Sequence, residues 1–283
     1  MSDKIHILLP VHNRREITRR FINCLKDQTY QDYHLILIDD GSTDGTANMV
    51  REQIRSLTTI TGHGHWWWGG ALHEGYKWLK KRNPPLTDIV LIMNDDTEFE
   101  KHFFEEAVAF LLEHRKTFLL AQCYSREDNA LIDAGVHVDW RRFLFKQPSE
   151  QEPVNCLSTR GLFFRVDDFF TVGGFHPLLL PHYASDYEFT IRAHRKGMGL
   201  RTDASVKVLL DLSTTGYHSV ENKSLLDAMK TVFSRRSAIN PLTLAIFVAL
   251  ACPWRRKFTC WFRIVSLSLS RGWALLMRQE TTR

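Results

Sequence analysis

Leu35-Ile36-Leu37-Ile38-Asp39-Asp40-Gly41-Ser42-Thr43-Asp44-Gly45-Thr46 begins as a strand and closes as the start of a helix. Four consecutive Ile and Leu residues suit a strand covered on both faces, the habit of a mostly parallel sheet. Ser42, Thr43 and Asp44 are residue types that cap the helix to follow. Asp39 and Asp40 stand where open α/β sheets bind ligands, at the carboxyl end of a strand. Adjacent like charges there cost stability unless a cation or hydrogen-bond donors meet them, so the pair points to a ligand.

On the amino-terminal side, Ile5 to Val11 is a first apolar strand ending in Pro10-Val11-His12-Asn13-Arg14. The helix after it sets Ile17, Phe21, Cys24 and Leu25 on one face. Downstream, the pattern predicts a strand over Thr58–Thr61, a helix over Ala71–Lys81 and a strand over Asp88–Met93 ending in Asn94-Asp95-Asp96. It continues with a helix over Lys101–His114, a strand over Phe118–Tyr124 and hairpin strands within Leu131–Trp140. A strand over Leu162–Val166, helices from Asp167 and Tyr187, and a last strand over Val206–Leu210 complete it. Strands and helices alternating at this spacing mean βαβ units, hence an α/β fold with one mostly parallel, Rossmann-like sheet.

The 283 residues are 44% hydrophobic and 24% charged, ordinary for a globular protein able to bury a full core. Charge is uneven: from Ser224 onward ten Lys/Arg face two Asp/Glu, whereas the first 223 residues carry a net −3. The five cysteines are scattered without a CxxC, which supports neither a zinc site nor a disulfide framework. Together with a strand starting almost at once, this leads to the expectation of a cytoplasmic protein without a signal peptide.

Asp95 and Asp96 repeat the acidic strand end, with no Lys or Arg nearby in sequence to neutralise them. Hard carboxylates above an open crevice suit Mg²⁺ or Mn²⁺ shared with a phosphate, although a solvated turn starting the next helix reads equally well. Trp66-Trp67-Trp68 between glycines cannot all face a core, so at least one ring is expected at the lip of a pocket, where it would stack on a sugar.

Taken as an ordered set, Pro10 to Arg14, Asp39 to Thr46, Asn94-Asp95-Asp96, Gly173-Gly174-Phe175, Ser185-Asp186 and Arg192-Ala193 resemble family-2 glycosyltransferases of the GT-A fold over roughly residues 4 to 220. The resemblance implies an inverting, metal-dependent transfer from a nucleotide diphosphate sugar, UDP- or dTDP-linked, with a rhamnosyltransferase-like branch among the options. It places Pro10, His12, Asn13 and Arg14 at the nucleotide, with Trp68 at the donor or acceptor pocket. Asp40 would accept from the base and Asp95 would face ribose or phosphate. Asp96 and His218 would bind Mn²⁺ or Mg²⁺, and Asp186 would be the base that deprotonates the acceptor hydroxyl. Two departures stand out: Asn94 replaces the first Asp of the metal element, and Ser185 replaces the usual Glu before the base, with Glu188 two residues on. Before the resemblance is counted, a helix N-cap suits Asp186 equally, and a lone His such as His218 is more often structural.

Residues 224–283 form a second region. Ala238 to Trp254 is uncharged but interrupted by Pro241 and Pro253, marginal for a membrane span. Phe258, Trp261, Phe262, Val265, Leu269, Trp273 and Leu276 then recur at helical spacing among Arg residues. Such helices suit an anionic membrane interface; packing on the first domain or in a homo-oligomer is the alternative. Nucleic acid is not expected, because long apolar runs separate the basic residues. The acceptor expected is a saccharide or lipid-linked saccharide of surface polysaccharide assembly, at the inner face of the cell membrane. A nucleotidyltransferase would want a glycine-rich loop after the first strand, which Pro10 to Arg14 lacks. A non-catalytic sugar-nucleotide- or glycan-binding relative would fit Asn94 and Ser185.

Overall fold

The computed structural model describes residues 3–149, 151–211, 237 and 240–267. His218 and the end of the tail lie outside the described residues.

The centre is a sheet in which β1 (Ile5–Val11) runs parallel to β2 (Tyr33–Asp39) on one side and to β4 (Ile89–Ile92) on the other. Beyond β2 lies β3 (Leu57–Thr61), also parallel. Beyond β4 come β10 (Leu162–Arg165), antiparallel to both its neighbours, then β6 (Thr117–Ser125), parallel β11 (Gly199–Leu210) and a two-residue β5 (Thr97–Glu98). The sheet is mostly parallel, as its apolar runs foretold.

Alternation along each strand sends successive side chains to opposite faces. Leu35 and Leu37 join Ile5, Ile7, Leu9, Ile89 and Leu91 against α1 (Arg15–Lys26), α2 (Thr46–Gln53) and α4 (Phe103–Glu113). Ile36 and Ile38 join Leu8, Val90 and Ile92 against α3 (Trp67–Arg82), α5 (Val166–Val172) and α6 (Ser185–Arg195). All four residues of the Leu35–Ile38 run are fully buried, each contributing about 1.5–3 kcal/mol of burial.

Three expectations change. The hairpin expected within Leu131–Trp140 is split: β7 (Leu131–Asp133) pairs with β6, while β8 (His137–Asp139) pairs with β9 (Leu144–Lys146). The last strand starts at Gly199 and carries a register shift between Asp203 and Lys207, so its polar first half gave little periodic signal. Helix α3 starts at Trp67, inside the tryptophan run.

In the tail, α7 (Pro241–Ala251) is bounded by the two prolines. Asn240 caps it, its side chain accepting from the Leu242 and Thr243 N–H, with Pro241 at the first helical position. Phe247, Val248 and Ala251 then pack with Ile191 of α6 and with Leu180, and Cys260 and Ile264 of the helix over 257–267 close the same cluster. No helix of the described residues is long and apolar enough to cross a membrane. All five cysteines are free thiols.

Candidate active site

The loops after β1 and β2 are laced together at the carboxyl edge of the sheet. His12 Nδ1 donates to the Asp40 carbonyl at 2.7 Å; a carbonyl only accepts, so Nδ1 carries a proton. Asn13, held at φ +51°, donates its N–H to Ser42 Oγ and accepts the Thr43 N–H at 2.7 Å. Asp44 accepts the N–H groups of Arg15 and Thr46, the first residues of α1 and α2, so it serves both helix starts. Its capping role was legible from sequence.

Asp40 does something the sequence did not disclose. Its Oδ1 accepts from the N–H of Gly64 (2.8 Å) and His65 (3.2 Å), and its Oδ2 from Trp66 (2.8 Å) and Trp67 (3.2 Å). A carboxylate offers about four acceptor sites, and four backbone donors fill them. Asp40 therefore anchors the tryptophan loop and sits at the positive end of α3. Gly62 is needed beside it, because a Cβ there would lie 2.5 Å from Asp40 Oδ1. Asp39 is likewise committed to the turn, its Oδ1 accepting the Ser42 N–H at 2.8 Å.

The acidic end of β4 is arranged otherwise. Arg14, 82 positions away in sequence from Asp96, places Nε 3.3 Å from Asp95 Oδ1 and Nη2 3.2 Å from Asp96 Oδ2. The missing counter-charge thus comes from the loop after β1. Thr18 of α1 donates to Asp95 Oδ2 at 2.8 Å. Asp96 Oδ1 is buried and has no hydrogen-bond partner among the described residues. Burial pushes the Asp95 carboxyl up to about 6, Arg14 and Thr18 pulling it down and Asp96 adding to the rise. Both carboxylates line a small cavity with Ile17, Arg20, Thr97 and Asp211. A larger hollow lined by Arg51, Arg55 and Thr59 contains none of these groups.

Asp186 lies in the first turn of α6, which follows Ala184 at φ +62°. Its Oδ1 accepts the Tyr187 N–H at 2.9 Å, and desolvation raises its carboxyl to about 6, with the charge of Asp133 adding and Arg160 subtracting. The loop before it is clamped to the tryptophan segment. Gly69 N–H donates to the Pro181 carbonyl, and a Cβ on Gly69 would fall 2.6 Å from the Leu180 carbonyl oxygen. Trp67, a non-glycine residue at φ +58°, sets its ring 5.5 Å from that of His182; such backbone strain costs about 1–3 kcal/mol and gathers at functional sites. Trp68 Nε1 donates to Thr159 Oγ1 at 3.1 Å. Trp66 and Trp68 also pack on the core, so all three rings are partly buried.

Sequence reasoning missed Arg160 and Asp133. Arg160 follows Thr159, and its Nε is buried with no hydrogen-bond partner among the described residues. Burial pushes the Cys123 thiol up to about 11, with Arg160 pulling it down and Asp133 and Asp96 adding to the rise. Residues 156–160 are threaded past α6, Leu157 exchanging hydrogen bonds with Thr190. An Arg-Gly at the foot of an apolar strand was the available signal. Glu188 is not a second acid beside Asp186: Arg192 grips it at 2.8 and 2.9 Å while donating to the Val172 and Gly174 carbonyls, which fixes the Gly173-Gly174 turn.

No group of three or more His, Cys, Asp or Glu able to hold a metal occurs among the described residues. Asp95 and Asp96 nonetheless fit Mg²⁺ or Mn²⁺ of the kind bound through one or two carboxylates with substrate phosphates completing the shell. The unpartnered Asp96 Oδ1 is the observation that supports the fit.

A model of the family described as Glycosyl transferase family 2 matches residues 6–170. Glycosyltransferase GlyA of Streptococcus pneumoniae is 31% identical over 52 residues, 18% of this chain and 8% of that protein. Among solved structures, S. aureus TarS is 18% identical over 87% of this chain and 42% of its own, with a TM-score of 0.57. The mannosyltransferase PcManGT from Pyrobaculum calidifontis, solved with GDP-Man and Mn²⁺, is 16% identical over 100% of this chain and 81% of its own, with a TM-score of 0.59. TarS 1–349 in complex with UDP-GlcNAc is 16% identical over 87% of this chain and 71% of its own, with a TM-score of 0.59. The chain spans less than half of that TarS chain and a small part of GlyA.

Proposed function

The chain belongs to glycosyl transferase family 2, and from that premise we propose that it moves a sugar from a nucleotide diphosphate donor to a saccharide acceptor with inversion. The fold likeness to enzymes solved with UDP-GlcNAc, or with GDP-Man and Mn²⁺, supports a nucleotide-sugar donor. The donor is UDP- or dTDP-linked, its nucleotide lying along Pro10, His12, Asn13 and Arg14 and its diphosphate over Asp95 and Asp96. When bound there, Mn²⁺ or Mg²⁺ neutralises charge developing on the leaving diphosphate; His218 is a further candidate ligand. Trp68 borders the sugar.

Asp186 takes the proton of the acceptor hydroxyl. The new bond forms from that oxygen to the anomeric carbon as the bond to phosphate breaks, and the nucleoside diphosphate leaves with the electron pair. A carboxyl raised to about 6 is a better base than an ordinary aspartate and is still mostly ionised at neutral pH. The acceptor is a saccharide carried on a lipid, at the cytoplasmic face of the membrane, which the tail of residues 224–283 contacts. The observation that carries the reading is the buried Asp96 Oδ1 without a hydrogen-bond donor among the described residues.

A thermal-shift screen of nucleotide sugars with and without Mn²⁺ tests it, followed by turnover of Asp186→Asn. A metal-dependent rise in Tm with one nucleotide is expected. Asp186→Asn should keep that rise and lose about a thousandfold in turnover. The wild-type rate should fall as the pH drops below about 6 and Asp186 takes up its proton. Because its folded-state value lies above the ordinary 3.8, this group favours the fold most at low pH and less as pH rises towards 6. The Asn variant should therefore be no less stable at neutral pH. No shift with any donor would favour a non-catalytic relative, and an active Asp186→Asn would place the base elsewhere.

A further inference from the structure

The helix over 257–267 has two apolar faces, of which the protein covers one. Cys260 and Ile264, one turn apart, are buried against α7 and β8. On the other side Phe258, Trp261, Phe262 and Val265 fall at the i, i+3, i+4, i+7 spacing that makes a single stripe. Phe258 is 80% exposed, Phe262 75% and Val265 56%, and Trp254 just before the helix is 75% exposed. Aromatic side chains each carry roughly 150–250 Å², so the stripe amounts to several hundred Å² of apolar surface, the size at which a patch marks an interaction site.

The stripe is set firmly. Trp261 Nε1 donates to the Ala245 carbonyl, Lys257 Nζ to the Ala249 carbonyl and Arg263 Nη1 to the Arg142 carbonyl. Arg255, Arg256, Lys257 and Arg263 flank the stripe, and no Asp or Glu occurs from 237 to 267. Asp139 of β8 is an acidic group that faces this helix near Cys260. Arg255 lies over the Trp254 ring at 5.5 Å from its centroid. Exposed Trp and Phe inside a ring of Arg and Lys match the chemistry of an anionic lipid surface: apolar rings enter the acyl boundary while cations meet the headgroups.

The covered face of the helix meets the chain segment that leads into α6. Leu180 packs in the same cluster as α7, and Leu178 and Leu179 just before it are 95% and 46% exposed. That loop continues into Pro181, on which Gly69 is docked, and then into Asp186.

We propose that Trp254, Phe258, Phe262 and Val265, with their Arg/Lys rim, form a membrane-docking surface for anionic lipid. This deepens the reading above and rests on it only for the purpose of docking: an acceptor sugar attached to a lipid is presented beside Asp186 without leaving the bilayer surface.

The test is flotation of the full chain with vesicles of phosphatidylcholine alone or mixed with phosphatidylglycerol. It compares wild type, a triple variant Trp254→Ser/Phe258→Ser/Phe262→Ser, and a charge variant Arg255→Gln/Arg256→Gln. Wild type should float with the mixed vesicles and its tryptophan emission should shift to the blue. The triple variant should bind more than about tenfold more weakly, and the charge variant should lose the preference for anionic lipid. All three should show the same nucleotide-induced thermal shift, which keeps this test separate from that of the catalytic reading. The proposal is overturned if wild type stays unbound or the triple variant floats equally well. It is also overturned if wild type is a dimer that the triple variant dissolves without any vesicle binding.

Discussion

Asp39-Asp40 and Asp95-Asp96 look like the same feature in sequence: two carboxylates at the end of an apolar parallel strand. In the folded chain they are opposites. Asp40 is met by four backbone N–H groups and Asp39 by one more, all from the loops around it. Asp95 and Asp96 share one arginine and Asp95 a threonine hydroxyl, no backbone donor from another loop reaches them as four reach Asp40, and Asp96 keeps one buried oxygen without a hydrogen-bond partner among the described residues. The first pair is satisfied by the protein; the second is incomplete without something cationic. An acidic strand end is thus diagnostic of a ligand only once its donors have been traced.

The largest effect should come from the incomplete pair. Asp96→Ala removes the group nearest the expected leaving charge, and about a thousandfold loss of kcat/KM is expected in the donor-hydrolysis or transfer assay. Its Tm should hold or rise, because a buried carboxylate with an unmet oxygen disappears. An Asp96→Ala protein that unfolds readily but stays active when folded would erase the contrast between the pairs.

The satisfied pair should answer through stability. In Asp40→Asn an amide replaces one oxygen, so an N–H donor meets backbone donors and at least one buried N–H is left unpaired. Each such loss costs about 1–3 kcal/mol, and a total of about 3 kcal/mol is expected. Urea unfolding should show it as a lower midpoint at unchanged slope. A variant as stable as wild type would mean that the tryptophan loop does not depend on this anchor.

How far the sequence reaches follows from what each signal encodes. Unbroken Ile/Leu runs report burial on both faces, so Leu35–Ile38 and Ile89–Ile92 disclosed the parallel core directly. Strand direction leaves no periodic trace, and antiparallel β10 inside the sheet was not legible. Asp44 was legible as a cap because its partners are adjacent, whereas Arg14 and Asp96 meet only through the sheet, 82 positions apart. Helical spacing announced the helix over 257–267, but it could not tell which of its two apolar faces the domain would cover. The tryptophan run promised one exposed ring with the others packed on the core; Trp66 and Trp68 do lean on the core, while Trp67 is half-buried and meets His182.

The smallest effect is the finest probe of the difference between the pairs. Arg14 bridges both carboxylates from the side, its own side chain 32% exposed, so it occupies part of the space and does part of the work of a divalent cation. A partly exposed charge contributes about 1 kcal/mol at such a site. Arg14→Gln should therefore tighten the binding of Mn²⁺ alone by about fivefold, measured in the absence of nucleotide by the paramagnetic signal of free Mn²⁺. The gain has a pH signature whose sign is fixed. Arg14 holds the Asp95 carboxyl down against its burial, so removing it raises that carboxyl further and lets a proton compete with the metal. The tightening should be present at pH 8 and fade towards pH 6. If Mn²⁺ affinity does not change at either pH, the arginine and the cation do not share the pair, and Asp95-Asp96 would be a closed structural cluster after all, like its counterpart on β2.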